Sequence, residues 1–250
     1  MTPFHATAGG YEAYWRGTER VVLAGIAREI AAMLREQAGL PEADASDPDG
    51  PLAATVQSTG TARIPDDPAV RRLLPDASDD DAVATEFRHL TQTDLAAAKV
   101  RGLERFAVLV DAVLVDADGP DPDGQADAEA QPAAAGRPRG ARAEQGDEEG
   151  EEPDSGELST AVVITRDDAP TVAAALTDLR LVVAQRLGLE TDDDVEAIHG
   201  DVMSDSVAAD LERGVDAEVR RYWGGIFLAA GLAQESLVGA MLDDLRARRG

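Results

Sequence analysis

Apolar residues recur along this chain at two different periods. Near the start, Phe4, Ala6 and Ala8 alternate with polar neighbours, and Tyr11, Ala13 and Trp15 do so after Gly9-Gly10. Period-two alternation on both sides of a Gly-Gly pair predicts a β-hairpin. The spacing then changes to three and four. Val22, Ile26, Ile30, Met33 and Leu34 define one helical stripe, closed by Gly39 and Pro41. Residues 41–66 read as a loop, with Ser46-Asp47-Pro48-Asp49-Gly50-Pro51 as its turn signal. Asp67-Pro68 opens a short helix with Pro in its first turn, and Pro75 closes it. Ser78 with Asp81 predicts a further helix through Leu90. Thr91 with Asp94 predicts the next, on which Leu95, Leu103, Phe106, Val110, Val113 and Leu114 share a face.

The second half repeats this grammar. Ala161-Val162-Val163-Ile164 is short and rich in β-branched residues, so it reads as a strand that pairs with the N-terminal hairpin. Thr165 and Asp168 start a helix carrying Val172, Leu176, Leu179, Val183 and Leu187, stopped at Gly188. Thr191 with Asp194 caps a short one. The last apolar set is Val215, Val219, Tyr222, Trp223, Ile226, Phe227, Leu237, Val238, Met241, Leu242 and Leu245. It keeps helical phase across its glycines, which predicts one long or once-broken helix of about 50 Å at 1.5 Å per residue.

Residues 116–157 interrupt the pattern. They hold 14 acids and three Arg, and between Ala117 and Gly156 there is no aromatic or branched aliphatic residue. Such a stretch cannot bury enough apolar surface to offset its ordering entropy, so it reads as a disordered acidic linker. Gly136-Arg137-Pro138-Arg139-Gly140 inside it resembles a minor-groove-binding core, but Ala135 stands where an Arg is needed and the Glu144–Glu152 run repels phosphate. The expected fold class is therefore α+β: a mostly helical single domain with a small antiparallel sheet. Residues 1–115 form its first part and 158–250 its second, joined across the linker.

Charge removes several function classes. The chain has 250 residues, 49 acidic against 23 basic, and a net charge of −26. That balance opposes binding to a phosphate backbone or an anionic membrane. The absence of Cys excludes disulfides, thiolate zinc sites and thiol redox chemistry. Lys99 is the only Lys, so a Lys-dependent phosphate loop or Schiff base could be built nowhere else. Met1-Thr2-Pro3-Phe4-His5 lacks the basic and apolar regions of a signal peptide. The most apolar stretch, Tyr222 to Ala233, is short for a bilayer. A cytoplasmic location without membrane contact is expected.

Catalytic motifs are missing. No nucleophile elbow, His-Glu-x-x-His, Gly-x-Gly-x-x-Gly or Gly-Lys pair occurs, and His5, His89 and His199 lie in unrelated segments. Asp76, Ser78 and Asp80 match three calcium-loop positions, but the loop then fails at Asp81 and Phe87. Asp192-Asp193-Asp194 fits a helix start, where negative charge complements the helix dipole. No metal and no cofactor are expected. The more informative set is Arg72, Asp76, Glu86, Arg88, Asp178 and Arg180, charged residues set among apolar ones. On its helix Arg180 neighbours Ala173, Leu176, Ala184 and Leu187, so a carboxylate partner is expected, with Asp76 or Glu86 as candidates. The set is either a structural network or a pocket for an anionic group.

The same residues carry a resemblance. Arg72-Leu73-Leu74-Pro75-Asp76-Ala77, an acidic run, Glu86-Phe87-Arg88-His89-Leu90-Thr91, and Asp178-Leu179-Arg180-Leu181 are similar to an uncharacterised family of high-GC Gram-positive bacteria. The family is known only as a domain of unknown function. The similarity extends to Tyr222-Trp223 and Gln234-Glu235-Ser236-Leu237-Val238, with Val172 and Thr177 departing from the pattern. The family's genes tend to neighbour that of a Clp-protease adaptor, and no enzymatic activity is attached to it. The resemblance implies a cytoplasmic accessory or regulatory protein.

The leading functional expectation is thus a non-enzymatic regulator acting through protein contacts, in transcription or stress response. Its partner would be a protein with a basic surface rather than a nucleic acid, and Tyr222, Trp223, Ile226 and Phe227 are the expected anchor. An enzyme or sensor that binds a small anion or divalent metal at the Arg/Asp clusters, an accessory of Clp-type proteolysis, and a homo-oligomer remain alternatives.

Overall fold

Tyr11, Ala13 and Trp15 point from β2 (Tyr11–Arg16) into the core, and this strand carries the sheet. On one side it pairs antiparallel with β1 (His5–Ala6), and on the other with β3 (Ser159–Ile164). The computed structural model describes residues 1–40, 64–116, 159–203 and 215–249. The acidic segment, including Gly136–Gly140, and most of the loop expected over 41–66 lie outside the described residues. Strand pairing across the acidic segment nevertheless unites the two halves, because Trp15 of β2 stands opposite Thr160 of β3. The hairpin turn is Ala8-Gly9, closed by the Thr7 amide donating to the Gly10 carbonyl at 2.8 Å. Gly10 has φ 147°, and a Cβ there would lie 2.1 Å from the Ile164 carbonyl oxygen, so β3 requires glycine at this position.

Six helices are described. They are α1 (Gly17–Ala38), α2 (Pro68–Leu73), α3 (Asp81–Asp116), α4 (Ala169–Leu187), α5 (Asp192–Met203) and α6 (Val215–Ala247). Gly39 at φ 64° and Gly188 at φ 67° end α1 and α4 as left-handed caps. Asp67 caps α2 by accepting from the Ala69 amide at 2.7 Å. Thr191 and Asp194 cap α5 reciprocally, with Asp194 also accepting from the Glu190 amide.

Three expectations about the helices fail. The helices foreseen to break at Thr91 are one helix, α3, because nothing there interrupts the backbone. Thr91 donates back to the Phe87 carbonyl at 2.9 Å, as a Thr inside a helix does. The cap in use at its start is Asp80, which accepts from the amides of Ala82 and Val83. The buried face of α1 is also rotated from the expected stripe. Leu23, Ala24, Ala27, Ile30, Ala31 and Leu34 are inside, while Val22, Ile26 and Met33 are half-buried. Alanine is a weak apolar signal in a sequence, yet its small side chain lets α3 approach closely.

The core is one cluster drawn from both sides of the acidic segment, including Trp15, Phe106, Ile164, Leu176 and Phe227. From α3 it takes Ala96, Val100, Leu103, Phe106, Ala107 and Val110, whereas Leu95 is exposed. Helix α4 is central, packing on α1, α2, α3 and α6, while α5 rests on α6. Helix α6 is unbroken and contains an 18-residue window of mean hydropathy 1.5, long and apolar enough by composition to cross a membrane. This corrects the shorter stretch read from the sequence. In the fold its Ile226, Phe227, Ala230, Ala233 and Leu237 belong to the shared core.

Candidate functional site

The end of α2, the turn after it and the start of α3 border a shallow, open cleft. Leu74, Pro75, Ala84, Phe87 and Leu95 give it apolar walls, and Arg88 reaches over it to Asp76. The guanidinium of Arg88 donates to Oδ1 of Asp76 at 2.5 and 3.2 Å. This pair joins two members of the expected set. Glu86 is exposed on α3 and Arg72 is exposed on α2, where it donates to Gln185 of α4 at 3.4 Å.

Asp178 lies elsewhere. It is 4% exposed on α4, where it accepts a hydrogen bond from Lys99 of α3. Burial pushes its carboxyl above the ordinary range, and the Lys99 ammonium partly offsets that shift. The sole Lys of the chain is therefore engaged in an interhelical ion pair.

Arg180 overturns the expectation of a carboxylate partner. Its Nη1 donates to Oε1 of Gln234 on α6 at 2.8 Å, and its guanidinium carbon sits 5.2 Å from the centre of the Phe227 ring. Gln234 in turn donates to the Thr177 hydroxyl, which donates to the Ala173 carbonyl. A neutral amide and an aromatic face stand against the cation here because α6, rather than α2 or α3, covers that face of α4. Asp76 and Glu86 take no part. The charged set thus comes apart: Asp76–Arg88 lies at the cleft, Asp178–Lys99 between α3 and α4, Arg180–Gln234 between α4 and α6 and Arg72–Gln185 between α2 and α4, while Glu86 stands exposed.

The expected aromatic anchor divides as well. Ile226 and Phe227 are in the core, with Phe227 under Arg180. Tyr222 is exposed and meets the half-buried Trp223 edge to face, with ring centres 5.8 Å apart. Helical spacing places all four nearby, but α4 covers only part of that face.

Two polar nodes escaped the sequence reading. Arg20 of α1 is fully buried; it donates to the Val110 carbonyl at 2.8 Å and to the Thr160 hydroxyl, tying α1 to α3 and β3. Its position at the head of the Leu23–Ala27–Ile30–Leu34 row was the available signal. Arg166, just after β3, donates to the carbonyls of Thr7 and Ala8 and to the carboxylate of Asp244 near the end of α6. Tyr11 also donates to Asp244, at 3.2 Å. Burial, reinforced by that carboxylate, raises the Tyr11 hydroxyl above its usual range.

His5, His89 and His199 are exposed, and no group of three or more potential ligands among the described residues could hold a metal ion. The fold and these arrangements define a helical α+β domain in which ion pairs and buried polar bonds join neighbouring helices. The chain belongs to the family described as Domain of unknown function (DUF2017), whose model matches residues 1–241. No curated protein matches it. No solved structure does either.

Proposed function

We propose that this protein is a non-enzymatic, cytoplasmic accessory protein that acts by binding another protein with a basic surface, in a regulatory role such as transcription or stress response. The observation that supports this reading is apolar surface left in solvent on both long helices of a chain with net charge −26. Val83, Phe87 and Leu90 stand exposed on α3, and Val238, Leu242 and Leu245 on α6. Rows of this kind are uncommon on surfaces that meet only water and mark sites of association. The charge speeds encounter with a positive partner and repels nucleic acid. Capture from lysate at low and moderate salt, with partners identified by mass spectrometry, tests it. A basic protein held at low salt and released at higher salt is expected. Duplex DNA binding by the purified chain, or no partner under any condition, overturns the reading.

One observation favours a second reading. The Nε of Arg180 is buried without a hydrogen-bond acceptor, and no carboxylate among the described residues pairs with this guanidinium. Such a cation suits a small anion. A thermal-shift series with phosphate, sulfate and nucleotides tests it: stabilisation that Arg180→Gln abolishes supports an anion site, and no shift removes it.

A further inference from the structure

Resting on the protein-binding reading, we infer that the N-terminal half of α3 is the docking surface and that its occupant is an amphipathic helix with Arg and Lys beside its apolar face. Val83, Phe87 and Leu90 follow i, i+4 and i+7, so they form one ridge along the helix. They are 52%, 47% and 71% exposed, and Leu90 is the most exposed large apolar side chain among the described residues. Phe87 is also a wall of the shallow cleft with Leu74, Pro75, Ala84 and Leu95. A ridge beside a cleft is the shape that helix-in-groove recognition uses, with anchors one turn apart.

Charge selects the occupant. Asp79, Asp80 and Asp81 stand at the head of the ridge, Glu86 precedes Phe87, and Asp94 continues the row one turn past Leu90. Arg88 is committed to Asp76. The ridge therefore lies in a negative field that suits Lys and Arg on the incoming helix. It also disfavours a second copy of this chain, because a two-fold contact would set each acidic rim against itself. The other exposed row, on α6, lacks this bias. Arg246, Arg248 and Arg249 follow Asp243 and Asp244 there, so the signs are mixed.

The test uses the full chain, immobilised, against a phage-displayed library of helix-biased peptides of about 16 residues, long enough to hold helical structure. Enriched peptides should combine Leu or Phe at i, i+4 and i+7 with flanking Lys or Arg. By fluorescence anisotropy, Leu90→Glu should weaken them about tenfold or more, as truncating an anchor does. Glu86→Lys with Asp94→Lys should weaken them and flatten the salt dependence, while Val108→Glu, at an exposed apolar position far along the same helix, should leave them unchanged. Enrichment of acidic or neutral peptides, or indifference to Leu90→Glu, overturns the inference. Loss with Leu242→Glu alone moves docking to α6 and leaves the protein-binding reading standing. A lower melting temperature without peptide for Leu90→Gln, which adds no charge between Glu86 and Asp94, means the chain itself covers the ridge. A parent dimer that Leu90→Glu dissociates means a second copy covers it. Either result overturns the inference. No enriched peptide together with no captured protein overturns both readings.

Discussion

Lys99 of α3 donates to Asp178 of α4, so the only Lys in the chain meets the one buried carboxylate among the described residues. Taking both charges out of water is costly, and the pair is stabilising only while both partners are present. Lys99→Ala should therefore cost up to about 3 kcal/mol at pH 7, because it leaves the buried Asp178 carboxyl without its cation. The sign with pH follows from the raised carboxyl. The folded chain holds this proton more readily than the unfolded one, so the contribution of Asp178 favours the fold at acid pH and wanes as pH rises through its elevated value. Removing Lys99 raises that value further. Denaturant melts at pH 7 and pH 5 should show the deficit of Lys99→Ala shrinking at the lower pH. A deficit that grows there contradicts this account.

The Arg166–Asp244 pair behaves oppositely. The hydrogen bond from Arg166 is the main reason the Asp244 carboxyl titrates below its ordinary range. Its stabilisation is then complete above the unfolded carboxylate range and is lost as pH falls through the lowered folded value. Asp244→Asn should be less stable than the parent at neutral pH, and the two should converge in acid. Amide exchange in the last turns of α6 should quicken in the variant, since Arg166 links that end to the Thr7 and Ala8 carbonyls.

Gly10→Ala should destabilise the sheet strongly. At φ 147° a non-glycine residue costs about 1–3 kcal/mol from the backbone alone. The clash of the new Cβ with the Ile164 carbonyl adds to that, and backbone cannot move aside as a side-chain tip does. A melting temperature within a degree or so of the parent would contradict the close approach of β3. Gly9→Ala provides the comparison, because its Cβ would meet only the Thr7 hydroxyl, at 4.0 Å.

Arg180→Ala should cost about 1–2 kcal/mol, the sum of one hydrogen bond and one cation–π contact. A carboxylate-paired buried Arg would cost about 3–5 kcal/mol instead. A double-mutant cycle with Phe227→Leu isolates the ring contact. Coupling of about 0.5 kcal/mol or more is expected, and additivity within error would remove the cation–π account.

The candidate site was only partly legible. Arg88, Asp76, Asp178 and Arg180 were recognisable as charges among apolar neighbours, because a helix of known period shows which residues share a face. Their partners were not recognisable. Lys99 and Asp178 are 79 positions apart and Arg180 and Gln234 are 54 apart. Local spacing carries no information over such distances. Arg20 was missed because the apolar residues on the buried face of α1 are half alanine, and alanine barely registers in a hydrophobic pattern.

The amino-acid order by itself determined the elements whose signals are local. Asp67-Pro68, Thr191 with Asp194, Gly39 and Gly188 bound their helices through hydrogen bonds and backbone angles formed within a few residues. Period-two alternation likewise marked the hairpin strands, and a short β-branched run marked β3. Only the tertiary structure decided which side of each helix is inside and which carboxylate meets which cation. It showed that α3 runs through Thr91, that α6 buries Phe227 beneath Arg180, and that Leu90 faces solvent. The reason is that burial belongs to a pair of surfaces. A helical stripe is defined by its own sequence, but it becomes core or exposed face only when another element does or does not pack against it.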